Sequence, residues 1–250
     1  MFTIRIEEMN WQDIKAALDD GFETIVVAVG SIEQHGPHLP TQTDALIGDM
    51  IANRVAVRLK NTLQAPTIRV GCSDHHLAFP GTISLKEATL KNILGDYVKS
   101  LVNHGFKRII FLPSHGGNFS PVKEAIDKLQ VKYPETAIIG YTDLQGFINA
   151  LHQFSSQFDI SKEEAGVHAG ESETSLVLAL AEELVEEERF TQGYLGPMEE
   201  DQLSLIFNQG MTALTDNGIL GDPTKASIEK GEKYLEELID FLVGEIQKMF

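Results

Sequence analysis

Cysteine and basic residues are scarce in this chain, and each shortage excludes a class of protein. The 250 residues include a single cysteine, Cys72, so no disulfide can form within the chain. Lysine and arginine number 20 against 37 aspartates and glutamates, which gives a formal net charge of −17. A field of that sign repels phosphate, and no basic cluster offsets it locally, so the composition argues against nucleic-acid binding.

Long apolar runs are also missing. No run approaches the ~20 residues that a membrane-spanning helix needs, and residues 1–8 lack the basic and apolar regions of a signal peptide. We therefore expect a cytoplasmic protein with no membrane partner. What is present, 42% hydrophobic and 23% charged residues, is typical of a globular enzyme or binding protein. At this length, one domain covering residues 1–250 can bury a sizeable core.

Strand-like and helix-like segments alternate along the chain. Apolar, β-branched runs predict strands at 24–29, 65–70, 108–112 and 137–141. Apolar residues at helical spacing predict helices at 11–18, 45–59, 84–104, 120–129, 176–184 and 228–246. The segment 142–167 looks less regular, and 186–223 is typical of long loops. The alternation predicts an α/β fold: a single-domain α/β/α sandwich with a mostly parallel central sheet.

Polar clusters follow the predicted strands, which is where open α/β sheets place their sites. Glu33 and His35 come just after the first strand, and residues two apart in extended backbone face the same side. Asp44, where the next helix starts, could reach the same point, and carboxylates with imidazole suit a divalent metal. Asp44 could equally be an N-cap, and the stretch around Glu33 a plain surface turn.

Later clusters leave similar alternatives open. His115 follows the third strand and is either another ligand or a hydrogen-bonded loop histidine. Glu171 and Glu173 precede a buried helix. Either could supply a metal ligand, or both could simply be first-turn carboxylates that the helix dipole favours. The run 114–118 resembles an anion cradle but lacks the spacing of a P-loop. Ordinary structural roles are predicted for His38, His75, His104 and His152.

Five blocks of sequence are similar to the creatininase (creatinine amidohydrolase) family. They are Ser31–Pro40 with Thr43 and Asp44, Gly71–Ser73 with His76 and Phe79–Thr82, His115–Asn118, His168–Gly170 with Glu173–Ser175, and Gly218–Pro223 with Ala226, Ser227, Lys230 and Gly231. The blocks span residues 31–231 in the family's order. The resemblance implies a two-metal centre that hydrolyses C–N bonds of small amides, in a homo-oligomer that is typically a hexamer.

The resemblance also implies metal ligands. The matching positions are Glu33, His35, Asp44 and His115, with Asp44 bridging two divalent ions, usually zinc or manganese, with iron or magnesium as further candidates. In creatininases proper a Tyr-Glu pair follows the histidine that matches His115, and its glutamate is a ligand. Here those positions are Gly116 and Gly117. We expect Glu173 to replace the missing ligand, with Glu171 as the second candidate.

The predicted catalytic residues are His168, which matches a histidine that moves protons, and Glu171. The predicted substrate contacts are Ser73, His76, Gly116 and Gly117, the glycines because their backbone N–H groups can approach an oxyanion. The creatinine enzymes use tryptophans near the site. Trp11, the one tryptophan here, lies outside every block, which argues against creatinine itself as the substrate.

The leading prediction is therefore a metal-dependent amidohydrolase that uses an activated water to cleave a cyclic amide or formamide in a small molecule. A formamido-pyrimidine deformylase or a cofactor-precursor peptidase of the same family is the alternative. A non-catalytic metal-binding or small-molecule-binding protein is the alternative from another class, although such a binder has no need for a proton donor at the position of His168.

Overall fold

A computed structural model of the chain describes residues 3–250, apart from the side chain of Glu200. Its strands are β1 (Thr24–Val29), β2 (Thr62–Gln64), β3 (Arg108–Pro113) and β4 (Ala137–Gly140). Its α-helices are α1 (Trp11–Asp19), α2 (Thr43–Leu59), α3 (Glu87–His104), α4 (Phe119–Lys132), α5 (Leu144–Ser156), α6 (Lys162–Ala165), α7 (Glu171–Ala181), α8 (Glu200–Gln209) and α9 (Ile228–Gln247). Short 3₁₀ turns lie between several of them.

The four strands form one parallel sheet in the order β2-β1-β3-β4. Because side chains alternate across a strand, successive residues of β1 enter different cores. Val26 and Ala28 pack with α2, α7 and α9, whereas Ile25 and Val27 pack with α3 and α4 on the other face. Helices thus cover both faces of the sheet, which confirms the predicted α/β/α sandwich and its parallel sheet.

The second strand lies earlier in the chain than predicted. It occupies 62–64 and pairs with the start of β1, whereas the predicted run 65–70 contributes one isolated bridge, from Ile68 to Val29. Pro66 has no backbone N–H for a neighbouring strand, which explains why pairing stops before it. Similarly, α3 starts at Glu87 rather than 84, because the Ser84 hydroxyl donates to Asp74 instead of capping the helix.

Two segments that looked irregular contain helices. α5 and α6 lie within 142–167, and α8 lies within 186–223. The acidic, glycine- and proline-bearing surroundings of α8 obscured its short apolar face, from which Ile206 packs in a small separate core with Met211 and Leu220. No helix in residues 3–250 combines the length and the apolar character that crossing a membrane requires.

Asn118 joins the loops at the carboxyl edge of the sheet. Its side-chain oxygen accepts a hydrogen bond from the Cys72 backbone at 2.9 Å, and its amide donates to the carbonyls of Val29 and Gly30 at 3.1 and 3.0 Å. A Cβ added at Gly117 would lie 2.3 Å from the Cys72 carbonyl oxygen. The loops that follow β1, β2 and β3 are therefore held in close backbone contact.

Candidate metal centre

Ionisable side chains from four segments meet at this edge of the sheet. We call them the cluster; its members are the carboxylates Glu33, Asp44 and Glu173 and the histidines His35, His76, His115 and His168. All but Glu173 are buried, and Glu173 is largely so. Each member lies in a loop, a 3₁₀ turn or the first turn of a helix at the carboxyl ends of parallel strands, as expected for a site in an open α/β sheet.

Asp44 lies between two halves of the cluster. Its Oδ1 is 3.6 Å from His35 Nε2, and its Oδ2 is 3.5 Å from His115 Nδ1. On the first side, His35 Nε2 is 3.8 Å from Glu173 Oε2. On the second side, His115 Nδ1 is 3.1 Å from Glu33 Oε1. One carboxylate oxygen of Asp44 thus faces each half, which is the arrangement that a bridging ligand requires.

Several donor atoms of the cluster lack hydrogen-bond partners. Both oxygens of Glu33, Nε2 of His35 and Oδ2 of Asp44 are buried without an aligned partner. Unpaired buried polar and charged atoms are costly, so an arrangement that retains them calls for a compensating group. Oxygen and imidazole nitrogen donors a few ångströms apart fit divalent ions such as zinc or manganese.

When no metal ion is bound, protonated histidines balance the negative charge of the carboxylates in the cluster. Burial opposes a charge on His35, but the carboxylate of Asp44 and its neighbours outweigh it and raise the pKa of His35 to about 10. Burial likewise opposes a charge on His115, and Glu33 and Asp44 raise its pKa to about 9. Positive charge is therefore favoured on both sides of Asp44.

Gln34 orients the two histidines that remain neutral. Its amide nitrogen lies 3.0 Å from Nδ1 of His76 and donates to the Gly218 carbonyl at 3.1 Å. His76 then carries its proton on Nε2, which lies 3.3 Å from Glu33 Oε1. His168 Nε2 donates to the backbone carbonyl of Gln34 at 2.8 Å. Nδ1 of His168 then carries a lone pair and lies 3.8 Å from Glu33 Oε1. Burial lowers the pKa of His76 to about 2 and that of His168 well below its ordinary value.

The residues predicted to contact substrate occupy different positions. Gly116, Gly117 and His76 line the pocket that contains the cluster. Ser73 is fully buried, with its hydroxyl 2.5 Å from that of Ser31 and 3.4 Å from His115 Nε2. Ser73, predicted to contact substrate, lies behind His115 and contacts that ring, and it is not among the described residues that line the pocket. His115 Nε2 also donates to the Cys72 carbonyl at 3.0 Å, which leaves Nδ1 for the cluster.

Glu171 is not part of the cluster. Its buried carboxylate accepts hydrogen bonds from Ser175 at 2.8 Å and from Tyr234 at 3.1 Å, between α7 and α9. Residues two apart in a helix point about 200° apart, so Glu171 and Glu173 cannot both face the cluster. Glu171, predicted as catalytic and as the second candidate for the fifth ligand, therefore lies outside the cluster, whereas Glu173, the first candidate, lies within it.

The apolar lining of the pocket and the roles of two polar residues were not predicted from the sequence. Side chains from α5, α8 and their neighbours form this lining; they include Leu144, Phe147, Leu151, Leu203, Ile206 and Phe207. His75 also lines the pocket, although an ordinary role was expected for it. Gln34 stands between the two motif residues Glu33 and His35, and that position was the one available signal of its role.

Comparisons with known proteins place this geometry in a family. The family model Creatininase, described as creatinine amidohydrolase, matches residues 7–246. The chain is 30% identical over 239 residues to a mycofactocin precursor peptide peptidase of Mycobacterium ulcerans, covering 92% of this chain and 87% of that protein.

Solved structures agree with the family match. A structure titled creatininase Mn has a TM-score of 0.82 and 26% identity, covering 99% of both chains. A mutant creatininase of the Zn-Zn type has a TM-score of 0.81 and 27% identity, covering 100% of this chain and 99% of that one. The predicted resemblance is thereby confirmed, and the chain belongs to the creatininase family of metal-dependent amidohydrolases.

Proposed function

We propose that this protein cleaves the C–N bond of a cyclic amide or formamide in a small molecule, using two divalent ions held by the cluster. The observation that carries the proposal is the set of buried, unpaired donor atoms around Asp44. In this proposal His35 and Glu173 would hold one ion, Glu33 and His115 would hold the other, and Asp44 would be a ligand to both. Zinc or manganese bound there would polarise the amide carbonyl and lower the pKa of a water.

His168 is the residue we propose for proton transfer. It is neutral, its Nε2–H is held by the Gln34 carbonyl, and its Nδ1 lone pair faces the cluster. Nδ1 can therefore accept a proton from the attacking water and then deliver it to the leaving nitrogen. The role predicted from the sequence, a general acid, thus becomes the second half of a base-then-acid cycle.

Gly116 and Gly117 are the proposed backbone donors to the oxyanion. Both line the pocket next to His115, and the close approach of Gly117 to Cys72 excludes a side chain there. Backbone N–H groups fixed in such a loop would stabilise the negative charge that develops on the carbonyl oxygen. His76 Nε2 lies 3.3 Å from Glu33 Oε1, where it would help to position that carboxylate.

Elemental analysis of purified variants tests the ligand assignment. We expect two ions per chain in the wild type, loss of both in Asp44→Ala, and full occupancy in His168→Ala with slow turnover. Asp127→Ala, an exposed aspartate that pairs with Lys123 on α4, is the control and keeps both ions. Full metal content in Asp44→Ala would contradict the bridging role.

Turnover assays test the reaction class. Formamides, cyclic ureas and small lactams are incubated with protein loaded with zinc or manganese, and again after chelation. Cleavage that is lost on chelation and restored by the metal supports the proposal. If loaded protein cleaved none of them, the alternative of a non-catalytic binding protein would be favoured.

The proposal also covers the oligomeric state of the protein and its location in the cell. We propose that the protein assembles as a homo-oligomer, a hexamer by family resemblance, and works in the cytoplasm as its composition suggests. Light scattering on a sizing column tests the first point, and a mass equal to one 27.6 kDa chain would reject it. Fractionation of cells that produce the protein tests the second.

A further inference from the structure

The pocket has two chemically different parts. One part is formed by cluster residues such as Glu33 and Glu173, and the other is apolar, formed mainly by Phe147 and Leu151 from α5 and by Ile206 and Phe207 from α8. None of the described residues that line the pocket is a lysine or an arginine. Burying a charged group costs free energy unless an opposite charge compensates it. A carboxylate or phosphate of a substrate would have no lysine or arginine to pair with among these lining residues.

Phe207 is the most unusual member of the apolar part. It is a large aromatic residue that is 50% exposed while lining a pocket. Its ring centre is 4.8 Å from that of His75, and His75 stacks on His115 at 5.6 Å with nearly parallel rings. A row of ring contacts thus leads from the exposed edge of α8 to the cluster. The exposed part of the Phe207 ring can pack against an apolar, preferably aromatic, group of a ligand.

We propose that the substrate is a neutral amide with a bulky apolar group, preferably aromatic, beside the scissile bond, and that Phe207 determines this specificity. The inference rests on the proposed function and names its substrate class. In the reaction, the water oxygen bonds to the carbonyl carbon and the C–N bond breaks. The leaving nitrogen takes a proton through His168, and the products are a carboxylic acid and an amine. The apolar group packs against α5 and α8 throughout.

Three formamides that share one scissile bond test the inference on metal-loaded protein. They are N-methylformamide, N-phenethylformamide and N-formylphenylalanine, which differ in the apolar group and in an added carboxylate. We expect kcat/KM for the phenethyl compound to exceed that of the methyl compound by about tenfold or more, and that of the carboxylate to fall well below. Phe207→Ala should reduce the phenethyl-to-methyl ratio by about tenfold, mainly through KM.

Phe250→Ala is the matched control. Phe250 is 58% exposed, does not line this pocket and lies near Arg108, so the same truncation should leave the ratio unchanged. Binding measured by calorimetry adds a readout that needs no turnover. We expect 3-phenylpropanohydroxamate to bind zinc-loaded protein about tenfold more tightly than acetohydroxamate, and Phe207→Ala to remove that difference.

The outcomes separate the inference from the function on which it rests. Turnover of all three amides without a phenethyl preference, or with a preference for the carboxylate, overturns the inference and leaves amide hydrolysis intact. Tighter binding of the phenyl hydroxamate with no amide cleaved supports apolar recognition and rejects the proposed function. Equal binding of both hydroxamates together with no cleavage rejects both.

Discussion

Glu33 and Glu171 are fully buried glutamates in two regions of the molecule, and their surroundings differ completely. Around Glu171, between α7 and α9, the hydroxyls of Ser175 and Tyr234 satisfy the carboxylate. Around Glu33, in the cluster, neither carboxylate oxygen has an aligned partner. Burial alone therefore does not identify a ligand, whereas several buried donor atoms without hydrogen-bond partners that face one another, as in the cluster, point to one.

The charges around the two glutamates reinforce this difference. Burial raises the pKa of Glu171, with Ser175 and Lys230 offsetting part of the effect. Burial also acts to raise the pKa of Glu33, but His115 and His76 outweigh it and lower the pKa well below its usual range. One region offers the carboxylate mainly neutral donors, whereas the other places the protonated imidazole of His115 3.1 Å from it. Metal ions would take over the cationic role in the cluster.

The largest expected effect is a difference in metal-dependent stability. Free metal at 100 times its dissociation constant should stabilise the wild type by about 2.7 kcal/mol for each ion bound, because the ions bind the folded chain. Glu33→Gln should abolish at least the contribution of the ion that Glu33 and His115 are proposed to hold, since an amide is a poor ligand for a hard cation. Glu171→Gln, the matched control, should keep the full gain. Melting temperatures with and without zinc or manganese measure the gain.

Two results would contradict the different roles assigned to Glu33 and Glu171. If Glu33→Gln kept the full metal-induced shift, its unpaired oxygens would have some other explanation. If Glu171→Gln lost the shift, the hydrogen bonds around Glu171 would not be the structural contacts that they resemble. Metal content of each variant, measured on the same samples, separates a lost ligand from a misfolded chain.

Sequence alone predicted one of these regions much better than the other. Motif residues on either side of a turn can be assigned to one site because parallel strands end at a common edge, so Glu33, His35, Asp44 and His115 were expected to meet. The choice between Glu171 and Glu173 depends on how α7 is rotated. Contacts with α9 set that rotation, and α9 is too distant in sequence for a local pattern to report it.

The same limit applied to the fold. Layers and parallel strands followed from alternating periodicity, but β2 was misplaced because a β-branched run around Pro66 looked more strand-like than Thr62–Gln64. α8 was missed since its few apolar residues serve the pocket and a small separate core. A pattern that reports burial in the main core does not detect residues that line a ligand site.

Truncation of Glu171 should have the next largest effect. Glu171→Ala leaves the buried hydroxyl of Tyr234 without its acceptor and opens space between α7 and α9, so we expect a loss of about 2–3 kcal/mol of unfolding free energy. Metal content should stay at the wild-type level. Urea denaturation measures the loss, and Glu171→Gln, which preserves an acceptor, should cost less than about 1 kcal/mol. Loss of metal in Glu171→Ala at full folding would place Glu171 in the metal site after all.

The smallest expected effect comes from Tyr234, whose hydroxyl donates a hydrogen bond to Glu171. Tyr234→Phe removes one hydroxyl but leaves Ser175, and Lys230 at 3.7 Å, to satisfy Glu171, so the loss should be about 1 kcal/mol. Tyr141→Phe, with a hydroxyl outside this contact, is the control. Because α7 also carries Glu173, a change in metal affinity would show that the Tyr234 contact holds that helix turn in register with the cluster. If stability falls as expected and metal affinity does not change, the two regions are independent, although α7 carries both Glu171 and Glu173.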